Sequence, residues 1–232
     1  MQVLEPTAAP RARAAAEGRP AADPGCAGCA QLGTFRALRR AGLDVQGGLG
    51  CDPAAGAPFV PAPGRWAAVT GVARLQESGA RALLADAARA GARLLVIADR
   101  ERTRSATPLE SLLARAGARV LRVDPADLGG AEAAVRAAGP DAVLLALSPC
   151  PRGQARSAPL EVAAPRCNRC GACLALACPA LSDPGGEAMA VDPGACTGCR
   201  LCASLCRAGA LVGAMAPRPP RRVEAGSHPP AA

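Results

Sequence analysis

Twelve cysteines in 232 residues carry the chemistry of this chain, and their spacing divides them into three sets. Cys167, Cys170, Cys173 and Cys178, the last followed by Pro179, form a C-x2-C-x2-C-x4-C-P run, and Cys196, Cys199, Cys202 and Cys206 form C-x2-C-x2-C-x3-C. A cubane iron-sulfur cluster presents four irons at tetrahedral corners. A tight loop with a thiolate at every third residue reaches three of them, so the fourth ligand must come from elsewhere. The two runs therefore predict a ferredoxin-like module with two [4Fe-4S] clusters and exchanged fourth ligands. Cys206 completes the set of Cys167, Cys170 and Cys173, and Cys178 completes that of Cys196, Cys199 and Cys202. Gly171, Ala172, Thr197 and Gly198 are small enough for backbone amides to approach the sulfurs. A pair of four-cysteine zinc knuckles needs only C-x2-C pairs and leaves the third cysteine of each triplet without a role. The first run has one residue more than usual before Cys178, which a small bulge would absorb. The second has Arg207 where a proline usually follows, and its N–H and charge are expected to ease reduction of the Cys206 cluster.

Cys26, Cys29, Cys51 and Cys150 remain, a full ligand set. Cys26-Ala27-Gly28-Cys29 precedes a helical segment, Cys51 closes the loop Gly47-Gly48-Leu49-Gly50 after a short strand, and Cys150 ends Ser148-Pro149-Cys150 after a late one. A third [4Fe-4S] cluster, a four-thiolate zinc site and unrelated packed thiols all stand open here. The separations are too wide for one loop, so only a folded sheet can bring the four together.

The elements that must do this alternate along the chain. Apolar runs of strand length (Trp66 to Val72, Leu94 to Ala98, Val120 to Val123, Ala142 to Leu147) are separated by segments of helical period (Leu32 to Ala41, Ala80 to Ala90, Leu109 to Ala116, Ala131 to Ala138). Continuous apolar strands alternating with helices predict an open parallel sheet covered on both faces, an α/β domain over residues 24–160. Ligands of such sheets lie at the carboxyl ends of the strands, here Gly47 to Cys51, Gly71 to Arg74, Asp99 to Thr103 and Ser148 to Cys150. A small α+β dicluster module follows over 164–213; Met189, Asp192, Pro193 and Gly194 form a hairpin leading into its second motif. It is too poor in large apolar residues to fold well without staples. Residues 1–23 and the Pro- and Arg-rich 216–232 are expected to be a disordered leader and tail.

Composition narrows the function classes. With two Phe, one Trp and no Tyr, the stacking surfaces of single-strand binders are nearly absent, and the net charge of +8 comes from arginines scattered along the chain, so no nucleic-acid partner is expected. Three oxidised four-thiolate cubanes at roughly −2 each would also offset most of that charge. No apolar run is long enough for a membrane span and no secretory signal is visible, which makes the reducing cytoplasm the expected compartment. Arg100, Arg102 and Arg104 read as solvated surface rather than an anion pocket, Asp99 and Asp124 as helix caps, and His228 as a tail residue without a catalytic role.

Pro24-Gly25-Cys26-Ala27-Gly28-Cys29 with Gly33-Thr34-Phe35-Arg36-Ala37-Leu38, Gly48-Leu49-Gly50-Cys51, Pro149-Cys150 and the dicluster tail from Cys167 to Leu211 resemble, in this order, the C-terminal part of the alpha subunit in the indolepyruvate branch of the thiamine-diphosphate-dependent 2-oxoacid:ferredoxin oxidoreductases. The resemblance implies a sheet of thiamine-diphosphate-binding type. In that family Mg-thiamine diphosphate is held by a Gly-Asp motif after one strand and an Asn after the next. Gly71 and Asp99 occupy the matching places, but Val72 stands for the Asp and Arg100 for the Asn. Val has no ligand atom for Mg²⁺ and Arg repels it, so thiamine diphosphate and Mg²⁺ are not expected here. The stretch from Cys51 to Gly71 is short and carries Pro53, Pro58, Pro61 and Pro63, and the family's other thiamine-fold domain, with the activating glutamate, is not in this sequence.

The expected function is single-electron relay through [4Fe-4S] clusters between a partner oxidoreductase and an acceptor such as ferredoxin, in a possible hetero-oligomer and with no catalytic residue assigned. Two alternatives stay open: a catalytic subunit that decarboxylates aryl 2-oxoacids with a partner chain, and a scaffold that holds clusters for delivery.

Overall fold

The computed structural model describes residues 26–49, 51, 58–99, 106–139, 141–151 and 155–213. The expected leader and tail, Arg100, Arg102, Arg104 and His228 lie outside the described residues.

Five parallel strands form one sheet: β1 (Asp44–Gly47), β2 (Trp66–Thr70), β3 (Leu94–Asp99), β4 (Arg119–Arg122) and β5 (Ala142–Leu147), in the order β1-β2-β3-β5-β4. Successive side chains of a strand point to opposite faces, so runs such as Trp66-Ala67-Ala68-Val69 must be apolar throughout when both faces are covered. Both are. Val69, Val96 and Leu144 pack beneath α1 (Gln31–Arg40) and α5 (Leu128–Ala137), which contribute Phe35, Leu38, Ala131 and Val135. Trp66, Ala68, Ile97 and Leu145 face α2 (Val72–Ser78), α3 (Ala80–Arg89) and α4 (Ala106–Arg115), whose Leu75, Leu83 and Leu113 are buried there. Each such leucine contributes about 1.5–3 kcal/mol on leaving water.

Two expectations are corrected at element boundaries. The strand expected to run to Val72 stops at Thr70; Gly71 takes an extended conformation and Val72 opens α2. The apolar run continues because Val72 and Leu75 pack on the same sheet face from a helix. Asp124 does not cap a helix: its Oδ1 accepts the Ala126 N–H at 2.9 Å within a turn. The cap of α5 is Asp127, whose Oδ1 accepts from the Gly130 amide at 3.0 Å.

Helix α1 fixes the architecture between sheet and cysteine module. The Gln31 amide donates to the Ala146 carbonyl at 2.6 Å at the end of β5, and buried Arg36 pairs with Glu132 of α5. A Cβ built on Gly33 would lie 1.9 Å from the Pro125 carbonyl oxygen, so helix and turn meet through glycine alone. Gly33→Ala is expected to cost about 1–3 kcal/mol, seen as a lower urea midpoint at unchanged slope. A wild-type midpoint would refute the tight approach.

Residues 160–213 form the second body. Strand β6 (Leu160–Val162) pairs antiparallel with β9 (Leu211–Gly213), and β7 (Leu181–Ser182) with β8 (Ala190–Val191). Single 310 turns occupy 174–176 and 203–205. Its core of Leu160, Leu176, Met189, Leu201 and Leu211 is completed by Leu32 of α1 and Leu128 of α5, so the body rests on the first turns of those helices.

Candidate metal centres

The first concavity encloses about 340 Å³ of empty space, partly open to solvent, and is lined by Cys167, Cys170, Cys173 and Cys206 with Val162, Met189 and Leu211. The second encloses about 310 Å³ and is lined by Cys178, Cys196, Cys199 and Cys202 with Leu160, Leu176 and Gly28. Among the described residues no three His, Cys, Asp or Glu side chains converge as the ligands of a single metal ion would. The donor sets are all sulfur, and the walls between them are largely apolar.

The backbone supplies what thiolates need. Each loop has two left-handed residues in matching places, Arg169 (φ 55) and Gly171 (φ 70) in the first, Gly198 (φ 72) and Arg200 (φ 64) in the second. Alternation of right- and left-handed residues turns successive N–H groups inward, a nest for negative charge. A Cβ at Gly198 would lie 2.5 Å from the Ala158 carbonyl oxygen, whereas nothing lies within 4 Å at Gly171, so only Gly198 is obligatory for space. The Gly198 and Leu160 amides each lie 3.5 Å from Cys196 Sγ, and the Ala210 amide 3.2 Å from Cys206 Sγ. N–H groups of Met189 and Arg169 hold the Cys167 thiol below its ordinary pKa.

Burial acts in the opposite sense. It pushes the Cys202 thiol up to about 12, with Cys199, Cys178 and Cys196 adding to the rise, and it raises Cys178, on which Cys199 and Cys196 also act. Cys173 is raised by burial and then by Cys206 and Cys170. Metal binding must displace these protons, which thiophilic iron does readily. Thr197 Oγ1 lines the second concavity, buried and without a hydrogen-bond partner among the described residues, a donor left over for a sulfide. The residues present therefore fit two cubanes.

The members of the third set lie near enough to one another to interact electrostatically. Burial, above all, raises the Cys29 thiol to about 11, and Cys51, Cys26 and Cys150 raise it further. Cys51 is exposed and the other three half-buried. This set touches the second concavity through Gly28. The Gly28 N–H donates to Cys178, and a Cβ on Gly28 would lie 1.9 Å from Thr197 Oγ1. The only sequence signal was a glycine between Cys26 and Cys29.

The matching place for a thiamine cofactor looks different. Val72 is buried at the first position of α2 and has no oxygen for Mg²⁺. Beside it Phe59 fills the core, with the Arg74 guanidinium 4.3 Å above its ring and 2.6 Å from Asp86. These residues do not fit Mg-thiamine diphosphate; Arg100 lies outside the described residues.

Asp183 sits at the rim of the first loop. The Gly185 N–H and the Arg169 guanidinium, 2.7 Å away, hold its carboxyl below its ordinary value. A depressed folded pKa stabilises above the unfolded value, near 3.9, and that contribution disappears as pH falls through the folded value. Asp183→Asn is therefore expected to flatten the acid limb of the stability curve below about pH 4, read as urea midpoints against pH. A superimposable limb would refute it.

Comparison with known proteins places the matched chemistry in the same region. The model for the 4Fe-4S binding domain matches residues 189–212. The indolepyruvate oxidoreductase subunit IorA of Methanothermobacter marburgensis is 38% identical over 73 residues, 30% of this chain and 12% of the relative, and that of Methanothermobacter thermautotrophicus agrees to the same extent. The chain thus spans a small part of the curated relatives it matches. No solved structure matches it. Among the described residues no helix is long and apolar enough to cross a membrane. Residues 189–212 are thus similar to a 4Fe-4S binding domain, and under a third of the chain is similar to part of an indolepyruvate oxidoreductase subunit.

Proposed function

We propose that this chain is an iron-sulfur electron-transfer subunit of a 2-oxoacid:ferredoxin oxidoreductase of indolepyruvate type, with a sheet of thiamine-binding ancestry that no longer holds that cofactor. The observation that carries the reading is the pair of concavities lined by four thiols each, every set drawing one cysteine from the opposite run. Bound [4Fe-4S] clusters supply one-electron carriers at moderate reorganisation cost. The chain's own residues do the rest. Cys167, Cys170, Cys173 and Cys206 would hold the first group, Cys196, Cys199, Cys202 and Cys178 the second, and Cys26, Cys29, Cys51 and Cys150 a third. Inward N–H groups stabilise thiolate charge, and Leu160, Leu176 and Leu211 exclude water. Cys170, Cys199 and Cys51 are exposed, giving a partner oxidoreductase and an acceptor ferredoxin separate points of approach.

Anaerobic reconstitution tests the proposal. Three cubanes give about twelve iron and twelve sulfide per chain, two give about eight of each, and a zinc third site gives about eight iron and one zinc. Dithionite reduction is expected to produce low-temperature EPR of reduced cubanes, and its absence would end the electron-transfer reading. Titration with Mg²⁺ and thiamine diphosphate is expected to show no binding; saturable binding would favour a catalytic subunit instead.

A further inference from the structure

The residue by which the first run exceeds the second has a visible place. In the second run the 310 turn 203–205 leads directly into Cys206, which is extended (φ −83, ψ 91). In the first, the turn 174–176 is followed by Ala177 in the left-handed conformation (φ 56, ψ 34), and only then by Cys178. Ala177 is one of three non-glycine residues with positive φ among those described. An alanine there carries the Cβ clash that glycine avoids, so the turn needs support from outside itself.

That support comes from the other body. Arg39, in the last turn of α1, sends one guanidinium nitrogen to the carbonyl oxygens of Ala175 and Leu176, at 3.2 and 3.4 Å. These carbonyls immediately precede the left-handed residue. The Leu176 side chain, fully buried, packs in the core that includes Leu32 of the same helix. Helix α1 therefore grips the turn from both its polar and its apolar side, and its first residues adjoin Cys29. We propose that Arg39 is a positioning residue for Cys178: it holds the bulged turn so that this thiol faces the Cys196, Cys199 and Cys202 loop, which it would complete as fourth ligand. The inference rests on the dicluster reading and adds to it a residue outside both cysteine runs.

The test uses the full chain with reconstituted clusters. Wild-type protein must first show at least the eight iron of the two ferredoxin-type clusters; if it does not, the dicluster reading fails and Arg39 is not at issue. A cubane whose fourth thiolate is poorly held loses the iron at that corner as Fe(II) when one electron is taken by ferricyanide, leaving [3Fe-4S]. Arg39→Ala is expected to raise the oxidised-state [3Fe-4S] EPR signal several-fold after stoichiometric ferricyanide, and Arg39→Lys to restore part of the protection. In the Ala177→Gly background, where the left-handed turn no longer needs holding, Arg39→Ala should have a smaller effect. The surface substitution Arg89→Ala is the control. A [3Fe-4S] signal in Arg39→Ala no larger than in wild type or Arg89→Ala would overturn the proposal, as would an undiminished effect in Ala177→Gly. Should Arg39→Ala not fold, Arg39→Gln and Arg39→Lys in both backgrounds carry the same comparison.

Discussion

Replacing Cys51 and Cys150 by serine is expected to remove about four iron and four sulfide per chain while the EPR of the two ferredoxin-type clusters persists. The two residues lie about a hundred positions apart, yet both act on Cys29 because β1 and β5 deliver them to the same sheet edge. Serine keeps the volume and removes the soft sulfur donor, so the fold should survive and the metal should not. An unchanged iron count would show that the α/β body carries the module without joining its electron path. Loss of zinc with no loss of iron would assign the site to a single ion.

Cys178→Ala is expected to damage the cluster of the opposite run. The Cys196, Cys199 and Cys202 cluster should lose between about one and four iron, while the Cys167, Cys170 and Cys173 cluster keeps its reduced EPR signal; Cys206→Ala should do the reverse. Two neighbouring reduced cubanes in the module are expected to give a spin-coupled spectrum, and either variant should remove that coupling. If Cys178→Ala and Cys167→Ala injured the same cluster, the exchange of ligands would be wrong. Cys178 is half-buried beside Cys196 and Cys199, in a concavity otherwise walled largely by apolar side chains such as Leu160 and Leu176.

Much of the sheet is legible because each central strand is apolar on consecutive residues, a pattern that only two covered faces explain. Ala142 to Leu147 falls where that logic puts it, and the strand begun at Trp66 ends two residues early, at Thr70. Helix α2 was hidden because seven residues give barely two turns of period, and its first residue continues an apolar run. Strand order is not periodic information at all: nothing local to β4 says that it must sit outside β5. At the candidate site, thiol spacing points to which cysteines could share a cluster in the two ferredoxin-type sets, since three of the four in each lie within one loop. It is silent on the contacts that span the two bodies. Arg39 looks like any helix-end arginine, and Gly28 like any turn glycine, until the carbonyls of the 174–176 turn and Thr197 are placed against them.

The stretch just ahead of the first dicluster cysteine has a consequence for modularity. Arg156 binds the Gly194 and Cys196 carbonyls at 2.7 and 3.0 Å, the Ser157 amide donates to Thr197, and β6 supplies both an edge partner for β9 and the amide on Cys196 Sγ. A fragment excised at Cys167, where the ligand motif begins, would be born with a bare strand edge and an unroofed second loop. The inheritable unit is longer than its signature: any graft of this cysteine module into another scaffold has to start upstream of residue 156, and a fusion of the bare motif would be a different, looser protein.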